Sequence, residues 1–264
     1  MHDVPPTDPS RASTRHEPQA PRGPPDTRSA IDWVEAERPR LRLLRQLPVP
    51  LHLEQGLHPP EHVCAACSSA RVLRRAAEEE GAQLLWVEVA HVIPGQEGIA
   101  APPPWLRILA PGSETGPVRF LGTPRGDLLE GFVQVVQDVA GGTAPSDQSA
   151  GWKAFAERTH RRHHFRIFAA AKNSDAPSVV RALARFVHLR PERLALDVID
   201  VEAFPKEARR RGVRHLPTVT IDDFAHFYGP PREDELLHAI EHVMPSEDLP
   251  YAGPKGESPF GGMS

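Results

Sequence analysis

The chain has 264 residues, enough for one large domain or two of about 100 residues each. A net charge of -4 and an isoelectric point near 6.4 exclude the basic surface of a nucleic-acid-binding protein. No apolar run reaches the ~18 residues of a membrane span, and the N-terminus lacks the apolar segment of a signal peptide, so the cytoplasm is the expected location.

The 30 prolines crowd toward the two ends. Up to Ser29 the chain has seven prolines, and Val4 is its single branched aliphatic residue. Such a segment cannot bury enough surface to offset the entropy of ordering. The stretch after Pro245 has the same character. Residues 1–28 and 246–264 are therefore expected to be disordered tails, with Tyr251 and Phe260 marking the second as a candidate docking peptide.

Between the tails, Ser29 to Leu47 reads as a helix with Pro39 as a break or kink. Val49 to Glu54 alternates as a strand, and a Pro/His-rich loop from Gln55 to Val63 follows. Cys64 to Glu80 is a helix with Ala66, Ala70, Leu73 and Ala77 on one face and Gly81 as its stop. Leu84 to Val89 is an apolar strand. Trp105 to Leu109 and Val118 to Leu121 flank turn residues and form a hairpin. Asp127 to Val139 is an amphipathic helix ending at Gly141.

The order then recurs. After a linker from Gly142 to Ser149, Trp152 to Arg162 is a helix, Phe165 to Ala170 a strand and Pro177 to Val187 a helix. Leu194 to Asp200 is a strand and Pro205 to Arg211 a helix. Thr218 to Ile221 and Phe224 to Tyr228 form a hairpin, and Glu233 to Val243 closes the chain's ordered part. Each half reads β-α-β-(α)-β-β-α behind one preceding helix, a duplication of structure. Trp152 and Phe155 are core contacts of the connecting helix. His160, Arg161, Arg162, His163 and His164 read as a solvated basic helix end.

The two cysteines, Cys64 and Cys67, are spaced C-x-x-C at a helix start. In the cytoplasm that spacing is redox-active or metal-binding more often than a structural bridge. Disulfide exchange needs a thiolate, which the unpaired N–H groups and positive dipole of a helix N-terminus favour. Cys64 is thus the attacking nucleophile and Cys67, one turn on, the resolving thiol. A nearby protonated His62 would favour the thiolate further.

A strand, a C-x-x-C opening a helix, and a later proline starting a hairpin strand form the thioredoxin-fold pattern. More specific stretches are Pro111 to Pro117, Arg119 to Gly126, Asn173 to Pro177, Leu189 to Pro191, Asp197 to Asp200, and Gly212-Val213 with Leu216 to Val219. On these the chain resembles the N-terminal tandem-thioredoxin domain of the flavoprotein subunit of alkyl hydroperoxide reductase and, more loosely, archaeal-type protein disulfide oxidoreductases. The resemblance implies an α/β chain of two tandem thioredoxin-like folds, residues 29–141 with the C-x-x-C and 142–245 without cysteines.

It further implies that Pro104 is a cis proline facing the dithiol, that Pro217 is its counterpart, and that Glu54 is the buried acid accepting the resolving cysteine's proton. It implies exchange with a protein thiol or disulfide substrate, a peroxiredoxin being one candidate, and an electron donor of unknown identity. The chain departs from the family in two ways. That family keeps a C-x-x-C in the second fold, where this chain has Asn173 and Ala176. No G-x-G-x-x-G opens a βα unit, so no flavin, nicotinamide or other cofactor is expected.

Two rival readings stand beside a disulfide oxidoreductase. His58, His62, Cys64 and Cys67 could bind zinc, but they cluster within ten residues and lack a second ligand pair. Alternatively, the duplicated fold is a redox-silent interaction module tethered by its tails.

Overall fold

A computed structural model of the chain describes residues 27–58, 65–90, 104–109, 116–142, 149–222 and 225–243. Residues 1–26 and 246–264 of the expected tails and 143–148 of the linker lie outside the described residues, whereas Thr27 and Arg28, expected in the first tail, are helical.

The first half begins with α1 (Thr27–Arg42), which starts two residues before the expected Ser29. Pro39 does not end it: one backbone donor is lost there, and the helix continues before tightening into a 3-10 turn at Leu43–Gln46. β1 (Leu51–Leu57) extends three residues beyond expectation, because Gln55, Gly56 and Leu57 belong to the strand and not to a loop. α2 (Ala65–Glu79), β2 (Leu84–Ala90), β3 (Trp105–Ile108), β4 (Val118–Leu121) and α3 (Asp127–Ala140) follow as expected. Gly81 stops α2 with a φ of +72°, a conformation costly for any side chain.

The second half holds α4 (Ala150–Arg158), β5 (His163–Ala169), α5 (Ala176–Val187), β6 (Leu194–Asp200), α6 (Pro205–Arg210), β7 (Thr218–Ile221), β8 (Ala225–Tyr228) and α7 (Glu233–His238), with a π-wound continuation at Ala239–Val243. α4 is capped by the Ser149 hydroxyl, which accepts from Trp152 N at 3.2 Å. The expected basic helix end is overturned. α4 stops at Arg158, and His163 and His164 open a strand and are buried. Each imidazole is held by a carboxylate remote in sequence: His163 Nδ1 lies 2.8 Å from Asp222, and His164 Nε2 2.9 Å from Asp197. Those pairings make burial tolerable.

The strands form one eight-stranded sheet in the order β2-β1-β3-β4-β6-β5-β7-β8. The two halves repeat one topology: β1 pairs parallel with β2 and antiparallel with β3, as β5 does with β6 and β7. β3–β4 and β7–β8 are the matching hairpins. The halves join where β4 pairs parallel with β6.

Side chains alternate across the sheet. One face is apolar and buries Leu53, Leu106, Phe120, Phe165, Leu196 and Val219 in a core shared by both halves and roofed by helices. Phe186 of α5 lies in it, with the Trp152, Phe165 and Phe155 ring centroids at 4.0, 5.6 and 5.8 Å. The opposite face carries a row of cross-strand partners, Glu54, Arg107, Arg119, Asp197 and Arg166. Arg119 and Asp197 join the halves through two hydrogen bonds of 2.9 Å. A smaller apolar cluster of Trp105, Leu121, Phe168 and Ile199 shares that face, with Ala208 of α6 packed on it.

A second lock ties α3 to α5. Asp138 accepts from Nε and Nη2 of both Arg181 and Arg185, at 2.7–3.0 Å. Gly131 allows the close approach of these helices, since a Cβ there would lie 3.3 Å from Pro177 Cα.

Candidate functional site

The C-terminal end of β1 delivers the chain to the N-terminal turn of α2, and there Cys67 is the third helical residue. The apolar face of α2 (Cys67, Ala70, Leu73, Ala77) turns toward the sheet, so Cys67 is fully buried and packs with Leu57 and Ala70. Cys64, together with His62 and the rest of 59–64, lies outside the described residues.

His58, the residue after β1, meets the Cys67 sulfur twice. Its backbone N lies 3.4 Å and its Nδ1 3.3 Å from Sγ. Arg71 of α2 donates to the His58 carbonyl at 3.3 Å and fixes the backbone at this corner. The expectation for Glu54 fails on strand parity. Gln55 points to α2, donating to the Ala70 carbonyl at 3.2 Å, so Glu54 points to the other face. There it accepts from Arg107 Nη1 at 3.0 Å. Gln55 is fully buried, and among the described residues its Oε1 meets no hydrogen-bond partner.

The loop after β4 completes the site. Thr123 Oγ1 donates at 3.2 Å to the carbonyl of Ala66, which stands between the two cysteines. The preceding Gly122 donates to the Pro104 carbonyl at 2.8 Å. Contacts thus run from Pro104 through Gly122 and Thr123 to the C-x-x-C turn. Asp200, at the end of β6, sits against Gly122, where a Cβ would come within 2.8 Å of it. Burial raises the Asp200 carboxyl above its ordinary range, opposed by the N–H of Glu202 and by Arg125. Its position shows only in the joined sheet, so no local pattern marks it.

Pro104 has a counterpart in the second half. The Pro217 carbonyl accepts from Gly229 at 2.7 Å, and Leu216–Pro217 is a cis peptide bond. Asn173 and Ala176, expected at the second half's cysteine positions, are linked by a hydrogen bond of 2.8 Å from Ala176 N to the Asn173 carbonyl. Registers also align Gly56 with Phe168 and Trp105 with Thr218. The large and small partners are exchanged between halves. Trp105 lies over Gly56, so closely that a Cβ there would fall 2.1 Å from its ring, whereas Phe168 lies opposite the small Thr218. Gly56 is therefore glycine for packing against Trp105.

Among the described residues, no group of three or more His, Cys, Asp and Glu side chains could hold a metal ion, and no helix is long and apolar enough to cross a membrane.

No protein-family model and no curated protein matches the chain. Solved structures do. The N-terminal N/C domain of alkylhydroperoxide reductase AhpF from Enterococcus faecalis superposes with a TM-score of 0.63 at 18% identity, over 78% of this chain and 98% of that one. A protein disulfide oxidoreductase from Aeropyrum pernix superposes with a TM-score of 0.64 at 19% identity, over 79% of this chain and 91% of that one. Both resemblances drawn from the sequence are therefore met in the fold, which is thioredoxin-like.

Proposed function

We propose that the chain is a thiol–disulfide oxidoreductase in which Cys64 attacks a disulfide of a protein substrate and Cys67 resolves the mixed disulfide. The observation that carries this reading is the setting of Cys67. It lies in the first turn of α2, buried, with two nitrogen groups of His58 directed at its sulfur. A structural cysteine in an apolar core needs neither the helix terminus nor the imidazole. The corner that Pro104, Gly122 and Thr123 build against Ala66 braces the start of the helix that carries Cys67.

A peroxiredoxin is one protein partner of suitable chemistry, since the AhpF structure belongs to an alkylhydroperoxide reductase. The second half, with Asn173 and Ala176 in place of thiols, serves as a scaffold through the shared sheet. The test is reduction of a model disulfide protein such as insulin by the reduced chain. Cys64→Ser is expected to abolish the activity, and Cys67→Ser to accumulate a mixed disulfide at Cys64. An inactive parent protein, or a Cys64→Ser protein as active as the parent, would refute the proposal.

A further inference from the structure

We infer that His58 is the proton acceptor for the Cys67 thiol, in the place where the strand supplies no carboxylate. The inference rests on the dithiol reading above. Cys67 is fully buried, so bulk water cannot take its proton directly. An acceptor within hydrogen-bond reach is needed. His58 Nδ1 stands 3.3 Å from Sγ, and the His58 backbone N–H, 3.4 Å away, points its positive end at the same sulfur. A thiolate forming there is met by an imidazolium and an amide donor together. The polar residue that β1 sends toward α2 is Gln55, which has no titratable proton.

Two charged side chains near this corner are engaged with groups other than the imidazole and the sulfur. Arg71 of α2 spends its contact on the His58 carbonyl, and Glu54 is paired with Arg107 of β3 on the other face. In the resolving step the Cys67 S–H proton passes to His58 Nδ1. The Cys67 sulfur bonds to the Cys64 sulfur, and the bond from Cys64 to the substrate sulfur breaks. Its electron pair leaves on the substrate thiolate, which is then protonated at the expense of the imidazolium. The substrate disulfide is the oxidant throughout, reduced as the dithiol is oxidised.

Two measurements test the assignment. In the Cys64→Ser protein, Cys67 is the remaining cysteine, and its ultraviolet thiolate absorbance can be titrated. His58→Gln is expected to move that titration to higher pH, and an unmoved titration would overturn the inference whether or not the chain turns over a disulfide. In the two-cysteine protein, His58→Gln is expected to slow decay of the Cys64 mixed disulfide about 10²-fold without changing alkylation of Cys64. A merely structural role would lower the thermal midpoint and leave the pH profile of the decay in place. His58→Asn, the smaller amide, is carried in parallel, and a parental decay rate and pH profile in either folded variant would equally overturn the inference. Failure of the parent to exchange disulfides would instead count against the dithiol reading, which the Cys67 titration does not depend on.

Discussion

Replacing Asp138 by Asn removes the charge on which Arg181 and Arg185 converge between α3 and α5. Burial alone would raise this carboxyl, but the two guanidiniums outweigh it and lower it from 3.8 to about 2. That depression corresponds to at most about 2.5 kcal/mol of folding free energy at neutral pH. Arg181 keeps 42% of its side-chain surface exposed, so solvent screening reduces the figure to about 1–2 kcal/mol. The carboxyl binds fewer protons folded than unfolded, so its contribution is complete above about pH 4 and is lost as pH falls through about 2. Urea titrations of parent and Asp138→Asn at neutral pH and near pH 2 measure both ends. The expected destabilisation is about 1–2 kcal/mol at neutral pH, or roughly 2–8 °C in thermal midpoint for a protein of this size, and much less near pH 2. An equal loss at both pH values would refute the electrostatic reasoning and point to packing instead.

Gly56→Phe should destabilise by about 1–3 kcal/mol or more, because its Cβ alone would strike the Trp105 ring. Adding Trp105→Thr recreates the Phe168–Thr218 pair of the second half and should recover much of that loss in a thermal melt. No recovery would argue against equivalence of the two positions. His188, whose pKa is lowered by burial against the opposing hydrogen bond to Ala184, binds its proton less readily folded than unfolded. Stability should therefore fall as pH drops below about 6.5, and His188→Leu should flatten that part of the stability–pH curve.

Local signals carried much of the fold. The 3.6-residue spacing of Leu128, Leu129, Phe132, Val135 and Val136 identified α3, and the turn residues identified both hairpins, because these elements bury one continuous apolar face. They failed at the end of β1, where Gln55 and Gly56 are poor strand formers. Trp105 across the sheet and Ala70 on α2 make those residues fit. They failed again at His163 and His164, since the carboxylates that pair with them are remote in sequence, Asp222 just past β7 and Asp197 on β6.

The candidate site divides along the same line. The C-x-x-C spacing and the helix it opens can be read from the sequence, because a cysteine near a helix N-terminus is placed by the backbone pattern alone. The sequence also marked a proline leading each hairpin. Which acidic or basic group meets the thiol was decided by tertiary structure. One residue of strand parity turns Glu54 to the charged face and Gln55 to the helix, and the corner after β1 brings His58 onto the Cys67 sulfur. Adjacent residues on a strand point to opposite faces, so a single residue's uncertainty in where β1 runs exchanges a carboxylate for an amide at the site.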